Sequence, residues 1–419
     1  MSLSIKVMFY KGLTKLTKFI FTFVAIPKPT VFVGDKSTEQ LCNMVAQFNL
    51  KRTLIVTDNI LEELGLVAKV ESALNEAGVN AVVYNGVTPD PTFTIVDETV
   101  SLLSQHNCDN IIALGGGSAI DAAKVAALCA TNPNRDAKKL GGFFKAKHRG
   151  LPLFAIPTTA GTGSEVTIAA VVSDPITHAK APVVDTKVVP LAAALDPTIM
   201  IGLPSPITAA TGMDALTHAI ESFLGKFATA ETDSYALAAV TMIFNYLPRA
   251  YKNGEDIEAR EAMALASFYA GLAFTQASVG YVHAIAHNFG AKYGTPHGLA
   301  NAIVLPYILD YYQQDCNERL AMLSLTINPI KESIPVSAQL QSLTQAEKEV
   351  LAQQFINDVK QLNASMNIPK QLDALKEQDI RLIAKAALKE AHLQYTYPVP
   401  KYMDITTCES IIHQMLPSV

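Results

Sequence analysis

The residues whose types and spacing could do chemistry lie between Gly212 and Asn301. Asp214 and His218 are four apart, so on a helix both point to one face. His283 and His287 repeat that spacing, and His297 follows Thr295-Pro296. One carboxylate and several imidazoles on stacked helices make a mixed oxygen and nitrogen site for a divalent metal. Taken singly, an Asp in an Ala-rich helix is a cap or a solvated group, and a lone His is a satisfied core residue. Together, in a stretch this apolar, burying them without a partner would be costly. The spacing does not choose which of the three later histidines would bind. Nor does it choose the metal, since such a set suits Fe, Zn, Ni or Co about equally.

A second constellation lies nearer the N-terminus. Gly115-Gly116-Gly117-Ser118 breaks an apolar strand pattern and opens a helix pattern. Glycines there let a phosphate approach the backbone, and the helix N-terminus offers free N–H groups. The bland alternative is a tight strand-to-helix turn. Pro157-Thr158-Thr159-Ala160-Gly161-Thr162-Gly163-Ser164-Glu165 follows another strand pattern, and its last four residues also fit a capping box. Two such turns suit a pyrophosphate better than either alone. Asp58 ends the first strong strand pattern; it is either a helix cap or the acceptor for a ribose 2′,3′-diol, which would favour NAD over NADP.

The elements that must position these residues change character along the chain. From Thr30 to Ile156, β-branched runs such as Thr53–Thr57 and Asn110–Leu114 alternate with helical periodicity, including Glu62–Ala77 and Ala119–Ala130. That alternation predicts an α/β domain with a parallel, Rossmann-like sheet, which binds ligands outside the C-terminal ends of its strands. After Pro206 long Ala-rich stretches without strand-like runs predict an all-α domain. The divisions expected are an N-terminal extension over 1–28, a nucleotide-binding domain over 29–205 and a helical metal-binding domain over 206–419. Hydrophobic residues make up 49% of the 419 and charged residues 17%, with a net charge of −5. No basic run resembles a nucleic-acid patch. Five scattered cysteines without a C-x-x-C pair point to reduced thiols and a cytoplasmic setting. In the Lys-bearing segment Ile5–Ile26 the apolar run Phe19–Ile26 is too short to span a membrane, and the segment reads as an amphipathic helix that packs on the body or touches a membrane surface.

With these residues in view, the chain resembles the iron-containing (group III) alcohol dehydrogenases. The resemblance covers roughly 29–306 and rests on Gly115–Lys124, Pro157–Thr167, Thr211–Glu221 and Pro296–Ala302. It implies an α/β nucleotide domain and a helical domain with the active site in the cleft between them. It assigns Asp214, His218, His283 and His297 as metal ligands, with Fe(II) expected and Zn or another divalent metal possible. His287 matches a histidine near the nicotinamide and is the expected catalytic residue. Asp58, Gly115, Gly116, Gly117, Ser118, Thr158, Thr159, Thr162 and Lys180 match cofactor-contacting positions; Phe274 and Ala169 match the substrate pocket. Asp90 stands where relatives commonly carry Asn, a change expected to weaken or reshape adenine-side binding. Ala169 stands where some carry Asn, which leaves room for a larger or less polar substrate and makes diol recognition less expected.

The reaction this implies is reversible hydride transfer between a primary alcohol or aldehyde and NAD, assisted by the metal as a Lewis acid. The competing reading is a metal- and NAD-dependent lyase of the dehydroquinate synthase kind, which would show no net NADH formation. A homodimer or higher homo-oligomer is the family-level expectation.

Overall fold

A computed structural model describes residues 3–177 and 179–417. Among the described residues nine strands form two sheets: β1 Thr30–Val33, β2 Arg52–Val56, β3 Asn80–Tyr84, β4 Asn110–Gly115, β5 Gly142–Phe143, β6 Leu153–Pro157, β7 Ala169–Ser173, β8 Lys180–Val184 and β9 Ala192–Leu195. The larger sheet is parallel throughout, in the order β1-β9-β6-β4-β2-β3. Its central strands are buried on both faces, which is why Leu54-Ile55-Val56 and Ile111-Ile112-Ala113-Leu114 read as continuous apolar runs. The smaller sheet joins β5, β8 and β7, with β7 and β8 antiparallel. Among the described residues no strand follows Leu195; the rest is helical.

Several local outcomes differ from the sequence expectation. The helix expected over Glu62–Ala77 is two, Asn59–Glu63 and Leu66–Glu76, because Gly65 takes a left-handed backbone at φ 76°. The expected capping box at Thr162–Glu165 does not form. Gly163 occupies the cap position of a short 3₁₀ turn at φ 58°, and Thr162 Oγ1 accepts only from the Ser164 amide at 3.3 Å. Strand β9 was not expected, since Ala192-Ala193-Ala194 has little strand propensity; pairing with β1 on one side and β6 on the other imposes it.

The described residues pack into two compact units. One comprises Ala25–Leu203 with Gly254–Thr275, the other Met1–Val24 with Pro204–Asn253 and Gln276–Val419. The units are interleaved in sequence rather than separated by one cut near residue 205. Contacts within the first unit show why Gly254–Thr275 belongs to it. A Cβ on Gly163 would lie 2.9 Å from Gly271 Cα, the Ile168 amide donates to Thr275 Oγ1 at 3.1 Å, and Arg260 donates to the Leu203 carbonyl at 3.0 Å.

Helix Gly117–Thr131 carries a buried polar clamp within the α/β unit. Lys124 Nζ donates to the Thr167 carbonyl at 3.0 Å, Thr167 Oγ1 at 2.9 Å and the Ala169 carbonyl at 2.8 Å. Asp121 accepts from Ser164 Oγ at 2.6 Å and from the Val171 amide at 2.8 Å. Burial draws the Lys124 amine down to about 8, opposed by the carboxylates of Asp121 and Glu165. The clamp fastens the chain from Ser164 to Val171 against the helix that follows the first glycine turn. Asp121→Ala leaves a buried ammonium with one carboxylate fewer. It should cost about 3 kcal/mol, read as a lower denaturant midpoint; an unchanged midpoint would show that the clamp is not structural.

Candidate metal centre

Three helices supply the donor set, all within one unit. Asp214 and His218 lie one turn apart on Ser205–Leu224, His283 is on Tyr281–Tyr293, and His297 opens His297–Tyr312 directly after Pro296. Pro296 precedes the helix as its cap and so sets the angle at which His297 leaves the loop. Gly298 lets this helix approach its neighbour, since a Cβ there would collide with the Ala210 carbonyl.

One ligand atom from each of Asp214, His218, His283 and His297 lies within 4.8 Å of all the others. Metal–ligand bonds of about 2.0–2.2 Å put neighbouring donors roughly 3–4.4 Å apart, so the spacing fits a divalent cation. His297 Nε2 is 3.4 Å and His283 Nε2 3.8 Å from Asp214 Oδ1. Asn301 Nδ2 donates to Asp214 Oδ1 at 2.6 Å and lies 3.2 Å from both His283 Nε2 and His297 Nε2. Asp214 Oδ1 and His283 Nε2, whose ring proton is on the Nδ1 that faces Glu221, turn lone pairs on this amide, and His297 Nε2 lies equally close. Lone pairs facing one buried point are what a cation site requires.

The surroundings orient the donors. Glu221 Oε2 accepts from His283 Nδ1 at 2.7 Å and from the Gly280 amide at 2.8 Å, and Glu221 Oε1 accepts from the Val282 amide at 2.7 Å. The proton on Nδ1 leaves the His283 Nε2 lone pair pointing inward. The same carboxylate meets the N-terminus of helix Tyr281–Tyr293, where the helix dipole favours negative charge. Burial pushes the Glu221 carboxyl up to about 7, and its three donors pull the other way. Burial, then the neighbouring histidines, holds His283 well below the ordinary imidazole range, so it stays neutral.

His287 stands apart from the four donors. Its Nδ1 is 2.6 Å from Glu390 Oε1, its ring stacks on His297 at 5.2 Å between centroids, and the Tyr397 hydroxyl donates to the same Glu390 oxygen at 3.0 Å. Sequence reasoning gave no role to Glu221, Asn301, Glu390 or Tyr397. Glu221 carried a readable signal, being i+7 from Asp214 on the same helical face as His218. Glu390 carried none: it lies in a short π-helical turn, Glu390–Gln394, more than a hundred residues from its partner.

The expected cofactor residues gather in the α/β unit. Asp58, Gly115 and Thr158 end or follow adjacent strands β2, β4 and β6, at one edge of the sheet. The strand order reverses between β4 and β2, the place where such sheets bind ligands. Helix Gly117–Thr131 starts there with no side-chain cap on its first amides, as an anion site needs. The two glycine turns touch: a Cβ on Gly117 would lie 2.8 Å from Thr162 Cγ2, and one on Gly116 would lie 3.3 Å from Thr159 Oγ1. Ser118 is in the first turn of that helix. Asp58 does cap a helix, accepting from the Leu61 amide at 2.9 Å through Oδ1 alone. Lys180 is exposed and pairs with Asp90 at 3.1 Å; Asp90 adopts φ 53°, a left-handed backbone that Asp tolerates. Ala169 opens β7 and Phe274 is half-buried on helix Ile257–Ala277, flanking the Ile168–Thr275 bond.

Glu221→Gln replaces one of the two accepting oxygens by an N–H donor, so it gives up either the Val282 amide or the Gly280 amide with His283 Nδ1, and it should weaken the orientation of His283. Metal affinity should fall roughly 10- to 100-fold, measured by titrating metal-free protein with Co(II) or Zn(II); an unchanged affinity would limit Glu221 to holding the two helices together.

Residues 28–197 match the iron-containing alcohol dehydrogenase family, and residues 208–415 match the Fe-containing alcohol dehydrogenase family, C-terminal. The chain is 37% identical over 379 residues to an NAD-dependent methanol dehydrogenase of Bacillus methanolicus, covering 90% of this chain and 96% of that one. It is 35% identical over 364 residues to a lactaldehyde reductase of Escherichia coli (strain K12), covering 86% and 92% respectively. Among solved structures, an alcohol dehydrogenase from Oenococcus oeni superposes with a TM-score of 0.86 at 34% identity, over 93% of this chain and 99% of that one. This chain is therefore an enzyme of the iron-containing alcohol dehydrogenase family, an oxidoreductase.

Proposed function

We propose that this enzyme catalyses reversible hydride transfer between a small primary alcohol or its aldehyde and NAD, at a site holding Fe(II) on Asp214, His218, His283 and His297. The observation that carries the reading is the buried convergence of one carboxylate and three imidazoles within 4.8 Å. When bound, the divalent metal supplies Lewis acidity toward the alcohol oxygen, and NAD supplies the hydride acceptor.

The residues of the chain divide the remaining work. Asp214 contributes a single negative charge, so the loaded site keeps a net positive charge that favours an ionised alcohol. Glu221 and Asn301 hold the ligands in register. His287, backed by Glu390 and Tyr397, accepts or returns the alcohol proton. Gly115, Gly116, Gly117, Ser118, Thr158, Thr159 and Thr162 bind the pyrophosphate through backbone N–H groups and hydroxyls. Asp58 Oδ1 is engaged as a helix cap, and Oδ2 accepts from the adenosine ribose. Lys180 supports the nicotinamide ribose. Ala169 and Phe274 line an apolar substrate pocket.

The relatives act, by name, on substrates as different as methanol and lactaldehyde, so the substrate is proposed as a class. A homo-oligomer and a cytoplasmic location complete the reading; five unpaired cysteines support a reducing compartment. Among the described residues no single helix is long and apolar enough to cross a membrane.

The test is absorbance at 340 nm with anaerobically Fe(II)-loaded protein, NAD and n-alcohols from ethanol to hexanol. NADH should form, and should vanish with a chelator and in Asp214→Ala or His218→Ala. His287→Ala should depress turnover at full metal content; loss of metal would instead make it a ligand. Loaded protein that binds NAD yet reduces none of it with any alcohol would sink the dehydrogenase reading. Asp58→Asn retains the cap and removes the charge, so the NAD-over-NADP preference in kcat/KM should fall roughly tenfold or more, as for the loss of one charge-assisted hydrogen bond and one repulsion.

A further inference from the structure

Helix Leu3–Thr22 precedes the family match, which begins at residue 28. It carries Lys6, Lys11, Lys15 and Lys18 and no Asp or Glu. At about 100° per residue its side chains from Val7 onward sort into three arcs. One arc docks on the body: the Tyr10 ring lies 4.7 Å from that of His392, Thr14 Oγ1 is 2.9 Å from the Tyr402 hydroxyl, and Thr17 Oγ1 is 3.1 Å from Thr396 Oγ1. The next arc holds Lys18, Lys11 and Lys15, with Lys18 Nζ donating to the Lys226 carbonyl at 2.8 Å. The third, roughly 120° wide, holds Met8, Leu16, Phe9, Phe19 and Ile20, with Phe23 in the turn that follows. These six side chains are 51–74% exposed.

A helix that only packed on the body would not carry a second apolar arc on its exposed side. The docked side is mixed, with half-buried Val7, Leu13 and Phe21 beside the hydroxyls and the tyrosine, while the outward arc is wholly apolar and exposed. We propose that this arc is a docking surface for an anionic lipid bilayer, with the helix lying in the plane of the interface. The apolar arc would enter the boundary between headgroups and acyl chains, and Lys11 and Lys15 at its edge would reach lipid phosphates. Charge favours this partner. The lysine row complements an anionic surface, whereas the same face of a second copy would bring it no Asp or Glu, and in the antiparallel pairing would set two lysine rows side by side. The docked arc keeps the helix on the folded enzyme, so the whole protein would be carried to the membrane.

The chain contains no tryptophan, so Phe19→Trp makes one reporter on the exposed arc. Its emission should shift to the blue, and wild-type full-chain protein should co-sediment, with phosphatidylcholine–phosphatidylglycerol vesicles at low salt. Pure phosphatidylcholine should bind much less. Lys11→Gln with Lys15→Gln should lower the partition coefficient on the order of 20-fold, and Phe19→Ser with Phe23→Ser should abolish it. Metal-dependent NADH formation in solution, which none of these residues serves, checks that each variant folds. Failure to bind anionic vesicles, or equal binding to both vesicle types, overturns the proposal. So does a blue shift without vesicles that grows with protein concentration as the sedimenting mass rises, which would place a second copy on the arc.

Discussion

The helical unit depends on one buried carboxylate. Glu221 lies two turns beyond Asp214 on the helix that also carries His218, and it accepts from the first amides of the helix that carries His283. A single group therefore joins two helices of the candidate site, answers the dipole of one of them and sets the tautomer of His283. Its burial is expensive without partners, and all of its partners belong to the site. The same economy applies to Asn301, whose one amide reaches Asp214, His283 and His297. Ligand geometry here is a property of packed helix ends and not of flexible side chains finding a cation.

The α/β unit meets a different constraint. A parallel sheet exposes only its strand ends, so residues from β2, β4 and β6 meet at one edge because the register brings Val56 beside Ala113 and Gly115 beside Pro157. The two glycine turns abut so closely that a methyl group on Gly117 would strike Thr162. Asp121 and Lys124 then hold the second turn's continuation to the helix that begins in the first. Backbone donors aimed at a phosphate are useful only when the loops bearing them cannot drift, and a buried charged clamp beneath the turns provides that rigidity.

What local chemistry determines was legible in the sequence. The i,i+4 pairs at Asp214/His218 and His283/His287, the continuous apolar strands, the glycine turns and the Ala-rich helices follow from period, burial and backbone freedom within a few residues. Those rules act over one or two turns, so they reached the helices that bear Asp214, His218, His283 and His297, the parallel sheet and the two glycine turns. They could not separate His287 from the metal donors by spacing, because i+4 places it on the same face as His283; only the resemblance did so. Tertiary structure decided that separation, turning the His287 ring toward Glu390 and the His283 ring toward Glu221. It also made a strand of Ala192–Leu195 by pairing on both sides, and it drew Gly254–Thr275 into the α/β unit through a glycine contact with Gly163. Each of these turns on free energy gained between residues far apart in the chain, to which local propensity is blind.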